Sequence, residues 1–284
     1  MGLTIHYDLS LPGETPAVEV REKLERLRQA ARDLPVASVS ESLLCLRPGE
    51  CGESRLAALR ESREPGDQDL RSLLIRAARL VAYDYEASGK PRVGKLGEVG
   101  HMLGVQPRQL SCFTVDVGPG CEFAHFGMAR YPKVVLVKGQ QSFYKRRFRL
   151  PVEHADKWIW HGFAKTQYAS VGDAGGVENF LRCHLSLIAI LDAAKGLGLG
   201  VEVSDEGGFW EKRDVKALCG DLHDMNERMA GLVGLLKDAT QNAGDAAFTS
   251  PLLGTPEFER LEAKGREKID PKLAGLIIKV ARRG

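Results

Sequence analysis

The segment from Val177 to Lys195 constrains this chain more than any other. Apolar residues recur at helical spacing on nearly every side of it: Val177, Phe180, Leu181, Leu185, Leu187, Ile188, Ile190 and Leu191. Only a narrow strip through Arg182, Ser186 and Ala189 suits water. A helix that is apolar almost all round has to be covered by other layers. Its flanks read as strands, WIWHGFAKTQY before it and VEVSD after it. A single helical crossover makes two such strands parallel when they share a sheet. The expected fold is therefore α+β, a mixed β-sheet with helices mainly on one face.

The N-terminal end repeats the pattern. TIHYDLSL reads as a strand, Val20, Leu24, Leu27, Ala31 and Leu34 form a helical stripe, and SVSESLLCL reads as a second strand. Two strand–helix–strand units suggest pseudo-duplicated ferredoxin-like halves, about 1–130 and 131–240, in one sandwich domain over 1–240. Residues 241–284 read as a helical appendage, with helices around 256–268 and 272–282. Between the units lie a polar loop from Arg47 to Gly66 and a helix through Leu70, Leu74, Ala77 and Val81. A hairpin follows, FTVDV, GPG and CEFAHFGMA, and then the strands VVLV and FYKRRFRL. A long helix spans 211–237, where Val215, Leu218, Leu222, Met225, Met229, Leu232 and Leu236 step by three and four. Gly196 suits the left-handed residue that closes the core helix.

Composition narrows the classes. With 284 residues, 43% of them apolar, the chain can bury a sizeable core. A net charge of +2 demands neither a nucleic-acid nor a membrane partner. The most apolar run, LSLIAILDAA, is too short to span a bilayer and contains Asp192. The start lacks the basic and apolar regions of a secretory signal. The six cysteines form no CxxC and are expected as reduced thiols in the cytoplasm.

Parallel strands end on one edge of a sheet. KTQY closes the strand before the core helix and SDEGG closes the strand after it, so Lys165, Gln167, Asp205 and Glu206 are expected along that edge. The helix terminus after Gly175 and Gly176 opens there too, with unpaired N–H groups and partial positive charge. Open sheets bind ligands at such edges. Lys165 is the candidate cation. Asp205 or Glu206 is the candidate general acid/base, or a ligand to a divalent metal. Gln167 and Trp210 would contact a small anionic ligand, with Gly175 and Gly176 holding its charge. Alternation puts Lys165 and Gln167 on a face with His161 and Phe163, and sets Asp205 and Glu206 on opposite sides. Only one carboxylate would meet the lysine; the other would cap the helix near Trp210. The plainer alternative is a Lys–Asp salt bridge tying two strand ends. Neither GxxxxGK[ST] nor GxGxxG is present, so the familiar nucleotide cradles are missing.

Other groupings each have a plain alternative. Cys121 and His125 would share a strand face and could point two metal ligands together, or be a buried thiol beside a satisfied histidine. Lys145, Arg147 and Arg149 form a basic stripe, or the charged outside of an edge strand. LGEVGHMLGVQPRQL is similar to the first helix and turn of a MerR-type helix–turn–helix, with Leu96, Val99, Leu103, Val105 and Leu110 at its apolar positions.

GLTIHY at the start, CEFAHFG in the hairpin, KTQYA at a strand end and DEGGFWE before the long helix together resemble a family of bacterial proteins. The resemblance runs from Met1 to about Asp238. No activity is assigned to that family, so it implies no residue role. The residues themselves point to a soluble small-ligand-binding protein or enzyme, acting by hydrolysis or transfer on an anionic substrate, with metal assistance as an option. The alternatives are a protein–protein interaction module, with a homodimer seam along 211–237, and a DNA-binding regulator.

Overall fold

Alternation along Thr4–Pro12 sets the central layer. Ile5, Tyr7, Leu9 and Leu11 are buried, whereas His6, Asp8 and Ser10 retain exposure, the signature of a strand with one face on a core. The computed structural model describes residues 3–95, 97–241, 258–271 and 274. The strands are β1 (Thr4–Pro12), β2 (Ser38–Val39), β3 (Leu44–Leu46), β4 (Arg79–Tyr85), β5 (Pro91–Val93), β6 (His101–Val105), β7 (Gln109–Asp116), β8 (Ala124–Arg130), β9 (Val134–Lys138), β10 (Arg147–Pro151), β11 (Lys157–Lys165) and β12 (Gly200–Asp205). The helices are α1 (Ala17–Arg32), α2 (Glu53–Glu61), α3 (Pro65–Arg76), α4 (Gly176–Gly196), α5 (Phe209–Lys212), α6 (Val215–Gln241) and α7 (Phe258–Glu267).

The main sheet runs β12-β1-β11-β8-β7-β2, with β3 also on β7. Each pairing is antiparallel. β11 and β12 both run against β1, so they are parallel to each other with β1 between them, as a crossover through α4 requires. The fold is α+β. A ribbon of β9 and β10 and a small sheet ordered β5-β4-β6 complete it.

α4 lies on the face that carries Ile5, because Asp205 stands opposite Ile5 in the register and bonds to His184 of α4. α1 packs beside α4. α3 lies on the opposite face, where the Arg76 guanidinium sits 4.9 Å from the Phe163 ring. Among the described residues no helix is long and apolar enough to cross a membrane.

Several local expectations are corrected. The polar stretch 47–66 hides α2, which is anchored by buried Leu56 and Leu59. The helix expected through Val81 ends at Arg76, and Val81 belongs to β4. Around 101–110 the helix–turn–helix is replaced by β6 and the start of β7; Leu96 lies outside the described residues. On α4, Ser186 turns inward and donates to Arg182 O at 2.7 Å. The left-handed residue after α4 is Gly198 (φ 78°), not Gly196. The long helix 211–237 is two helices: Arg213 takes φ 52°, and Asp214 starts α6 by accepting from Lys216 N and Ala217 N. Its seam is buried at Leu218 and Leu222. Further along, α7 packs on α6. Of the two tail helices, 256–268 corresponds to α7, while 272–282 lies almost wholly outside the described residues.

Candidate functional site

The topology brings both strand ends to one edge. In the register Lys165 stands opposite Thr4 and Asp205 opposite Ile5, so β1 starts between them. That intervening strand keeps the expected partners apart. Lys165 makes no ion pair with Asp205 or Glu206 among the described residues; its Nζ rests 5.9 Å from the Tyr168 ring. Glu206 is exposed and accepts from Thr4 N at 2.9 Å, holding the first residue of β1. Gln167 leaves the strand face. It is buried in a short 3-10 turn, with no hydrogen-bond partner for Oε1 among the described residues. Gly175 (φ 113°) and Gly176 (φ 71°) turn the chain into α4 at the surface. Trp210 lies in α5, its ring stacked under Arg213 at 4.6 Å.

The residue that joins the two strand ends is Thr166, next to the lysine. Its Oγ1 lies 3.0 Å from His184 Nδ1, and His184 Nε2 lies 3.2 Å from Asp205 Oδ2. Asp205 also accepts from Gly207 N, Phe209 N and Trp210 N at 2.8–3.0 Å. It is the capping carboxylate for α5, the role the alternation of Asp205 and Glu206 foresaw for one of them. Burial pushes the Asp205 carboxyl up, but the His184 bond and charge and the backbone donors outweigh it, so its pKa lies below the usual value. Hydroxyl, imidazole and carboxylate follow the order of a nucleophile, its base and the group that orients the base. Here Thr166 and His184 are both 0% exposed. A hydroxyl that meets no solvent meets no substrate, so this chain of bonds ties β11, α4 and β12 together. In sequence His184 is an available ligand without a place, and its position among the apolar residues of α4 favours a buried, satisfied histidine.

An open cleft lies on the other face of the sheet, between α3 and the β7–β8 hairpin, with a volume near 740 Å³. Leu44, Leu70, Leu73 and Phe123 wall it. Arg76 enters from the last turn of α3, and His125 from β8. Thr114 Oγ1 lies 2.9 Å from His125 Nδ1 and fixes the ring. Burial and the charge of Arg76 push the His125 pKa down to about 4, so the imidazole is neutral at pH 7. Cys121 and Glu122 line the mouth. They precede β8 and are not strand residues, contrary to the shared strand face expected for Cys121 and His125. Glu122 N donates to Lys165 O, so the lysine stands beside this cleft. Arg76 was missed because it ends a helix otherwise read only for its leucines. Among the described residues no group of three or more His, Cys, Asp or Glu is placed to hold a metal ion. No family model, curated protein or solved structure matches the chain.

Proposed function

We propose that the chain binds a small molecule with one anionic group and an apolar body in the cleft under α3. The observation that carries this is an arginine without an ion-pair partner among the described residues, set over an apolar cleft large enough for a metabolite. Arg76 takes the carboxylate or phosphate of the ligand. Its stacking on Phe163 holds the guanidinium in place beforehand, which lowers the ordering cost of binding. Leu44, Leu70, Leu73 and Phe123 cover the apolar part. Neutral His125 adds a hydrogen bond at Nε2, and Glu122 and Asp69 accept from ligand hydroxyl or amine groups. We place the protein in the cytoplasm, where its unpaired cysteines stay reduced.

Thermal shifts with monocarboxylates and phosphate monoesters of increasing chain length test the proposal. One member of the series should stabilise the wild type, by about 2.7 kcal/mol at a hundredfold excess over its Kd. Arg76→Ala should lose that response. Equal stabilisation of Arg76→Ala, or no response to any member by the wild type, overturns the assignment.

A further inference from the structure

The turn between β7 and β8 lays Gly118 and Pro119 against the side of α4 and Gly120 against Tyr168 and Ala169. Gly118 has φ 147°, and a Cβ there would lie 2.9 Å from Cys183 Sγ. The bare glycine lets the backbone close on that sulfur, and Cys183 Sγ lies 3.3 Å from Val117 O. Cys121 N donates to Gly118 O at 3.2 Å, which keeps Cys121 over the same spot. Its thiol and Cys183 Sγ are interacting neighbours. Arg182 Nη2 stands 3.3 Å from Cys183 Sγ. The two sulfurs differ in access: Cys183 is sealed, while Cys121 is half-buried and lines the cleft.

We propose that Cys121 and Cys183 are a redox-active pair that closes to a disulfide by exchange with a small disulfide admitted through the cleft. Cys121 gives up its proton to solvent and its Sγ attacks one sulfur of the incoming disulfide; the first small thiolate leaves and takes up a proton. Cys183 Sγ, losing its own proton, then attacks Cys121 Sγ and expels the second small thiolate, which takes up a proton in turn. The two protein sulfurs lose two electrons, and the small disulfide departs as two thiols.

The surroundings favour the closing attack by Cys183. The Cys121 hydrogen bond holds the Cys183 thiol below its ordinary range against the push of burial, and the Arg182 charge helps. The same bond, with burial, holds Cys121 above it. Burial instead raises Cys112 to about 12 and Cys51 to about 11, which keeps those thiols protonated.

The test exposes the reduced full chain to glutathione disulfide and maps its peptides without reduction. Free thiols should fall from six to four, with one peptide linking Cys121 to Cys183. In Cys183→Ser, Cys121 should instead retain a bound glutathione. In Cys121→Ser, the sealed Cys183 should stay unmodified. Should a variant fail to fold, the wild-type map decides alone. A wild type that stops at glutathione on Cys121, links other cysteines or keeps all six thiols overturns the proposal.

Discussion

Thr166 Oγ1 lies between His184 Nδ1 and Leu3 O, with its side chain closed to solvent. Thr166→Val keeps the shape and leaves the imidazole nitrogen unpaired in a closed site, which should cost about 1–3 kcal/mol in urea unfolding with an unchanged m-value. Thr166→Ser keeps the hydroxyl and should cost only about 1 kcal/mol, for the lost methyl. Equal losses in the two variants would show that the hydroxyl contributes nothing. Two other residues divide the acid range between them. His125 titrates near 4 in the folded protein and near 6.5 when free. The unfolded chain therefore takes up its proton first, and stability falls as pH drops from about 6.5 towards about 4. The full effect is on the order of 3 kcal/mol. His125→Asn should remove that slope and no other, seen as the difference between its stability-versus-pH curve and that of the wild type. Asp205 has the opposite chemistry, a carboxyl held below its usual value. Its contribution is present above about pH 4 and is lost below it, as the folded carboxylate takes up its proton. Asp205→Asn should lower stability at pH 7 by about 3 kcal/mol and flatten the curve below pH 4. A slope unchanged in that variant would assign acid unfolding to other carboxylates.

Glycine in a helix ordinarily weakens it, and Gly231 and Gly234 in α6 carry that cost. The crossing with α7 explains their presence. A Cβ on Gly231 would lie 2.5 Å from the backbone carbon of Gly265, and one on Gly265 would strike Glu227 O. The two helices touch backbone to backbone at this point. Gly231→Ala should therefore destabilise, by about 1–3 kcal/mol from overpacking, although alanine is the better helix former. Gly220 has open space around its Cβ position, so Gly220→Ala should stabilise by up to about 1 kcal/mol. Opposite signs for the two variants in thermal unfolding would confirm that α7 sits where the crossing requires. The same contrast explains what sequence periodicity can and cannot show. The stepping of Leu218, Leu222, Met225 and Met229 announces a helix, but the break at Arg213 is one residue with φ 52° and leaves no trace in that stepping. α4 is legible because its apolar residues surround it. α2 is not, because only Leu56 and Leu59 among its polar neighbours reach the core.

At the scale of the molecule, the parallel relation of β11 and β12 is legible from a single crossover, and so is the edge where they end. What sequence could not supply is the strand between them. β1 comes from the other end of the chain, and its place between β11 and β12 separates Lys165 from both carboxylates. The cleft was hidden for a related reason: its cation, its histidine and its leucines come from elements that meet only through tertiary packing. Unequal packing also governs how the molecule should open. Most buried apolar residues form one cluster running from Leu3 to Leu222, which includes Leu218 of α6. The outer end of α6 belongs to a second, small cluster of Ala230, Val233 and Phe258. There the contact with α7 leans on charge, with Lys268 Nζ 2.5 Å and Lys264 Nζ 3.4 Å from the buried carboxylate of Glu227. Few apolar contacts and solvent-facing lysines define a unit that opens locally before the rest. Salt weakens its ion pairs, since the screening length falls to about 3 Å at 1 M. In hydrogen exchange, peptides from 229–238 and 258–267 should lose protection well before those from 183–194. Raising the salt should speed exchange in the first two and leave α4 unchanged. Equal protection in α4 and α7, or no response of α7 to salt, would mean that the α6–α7 crossing is held by packing and opens only with the whole core.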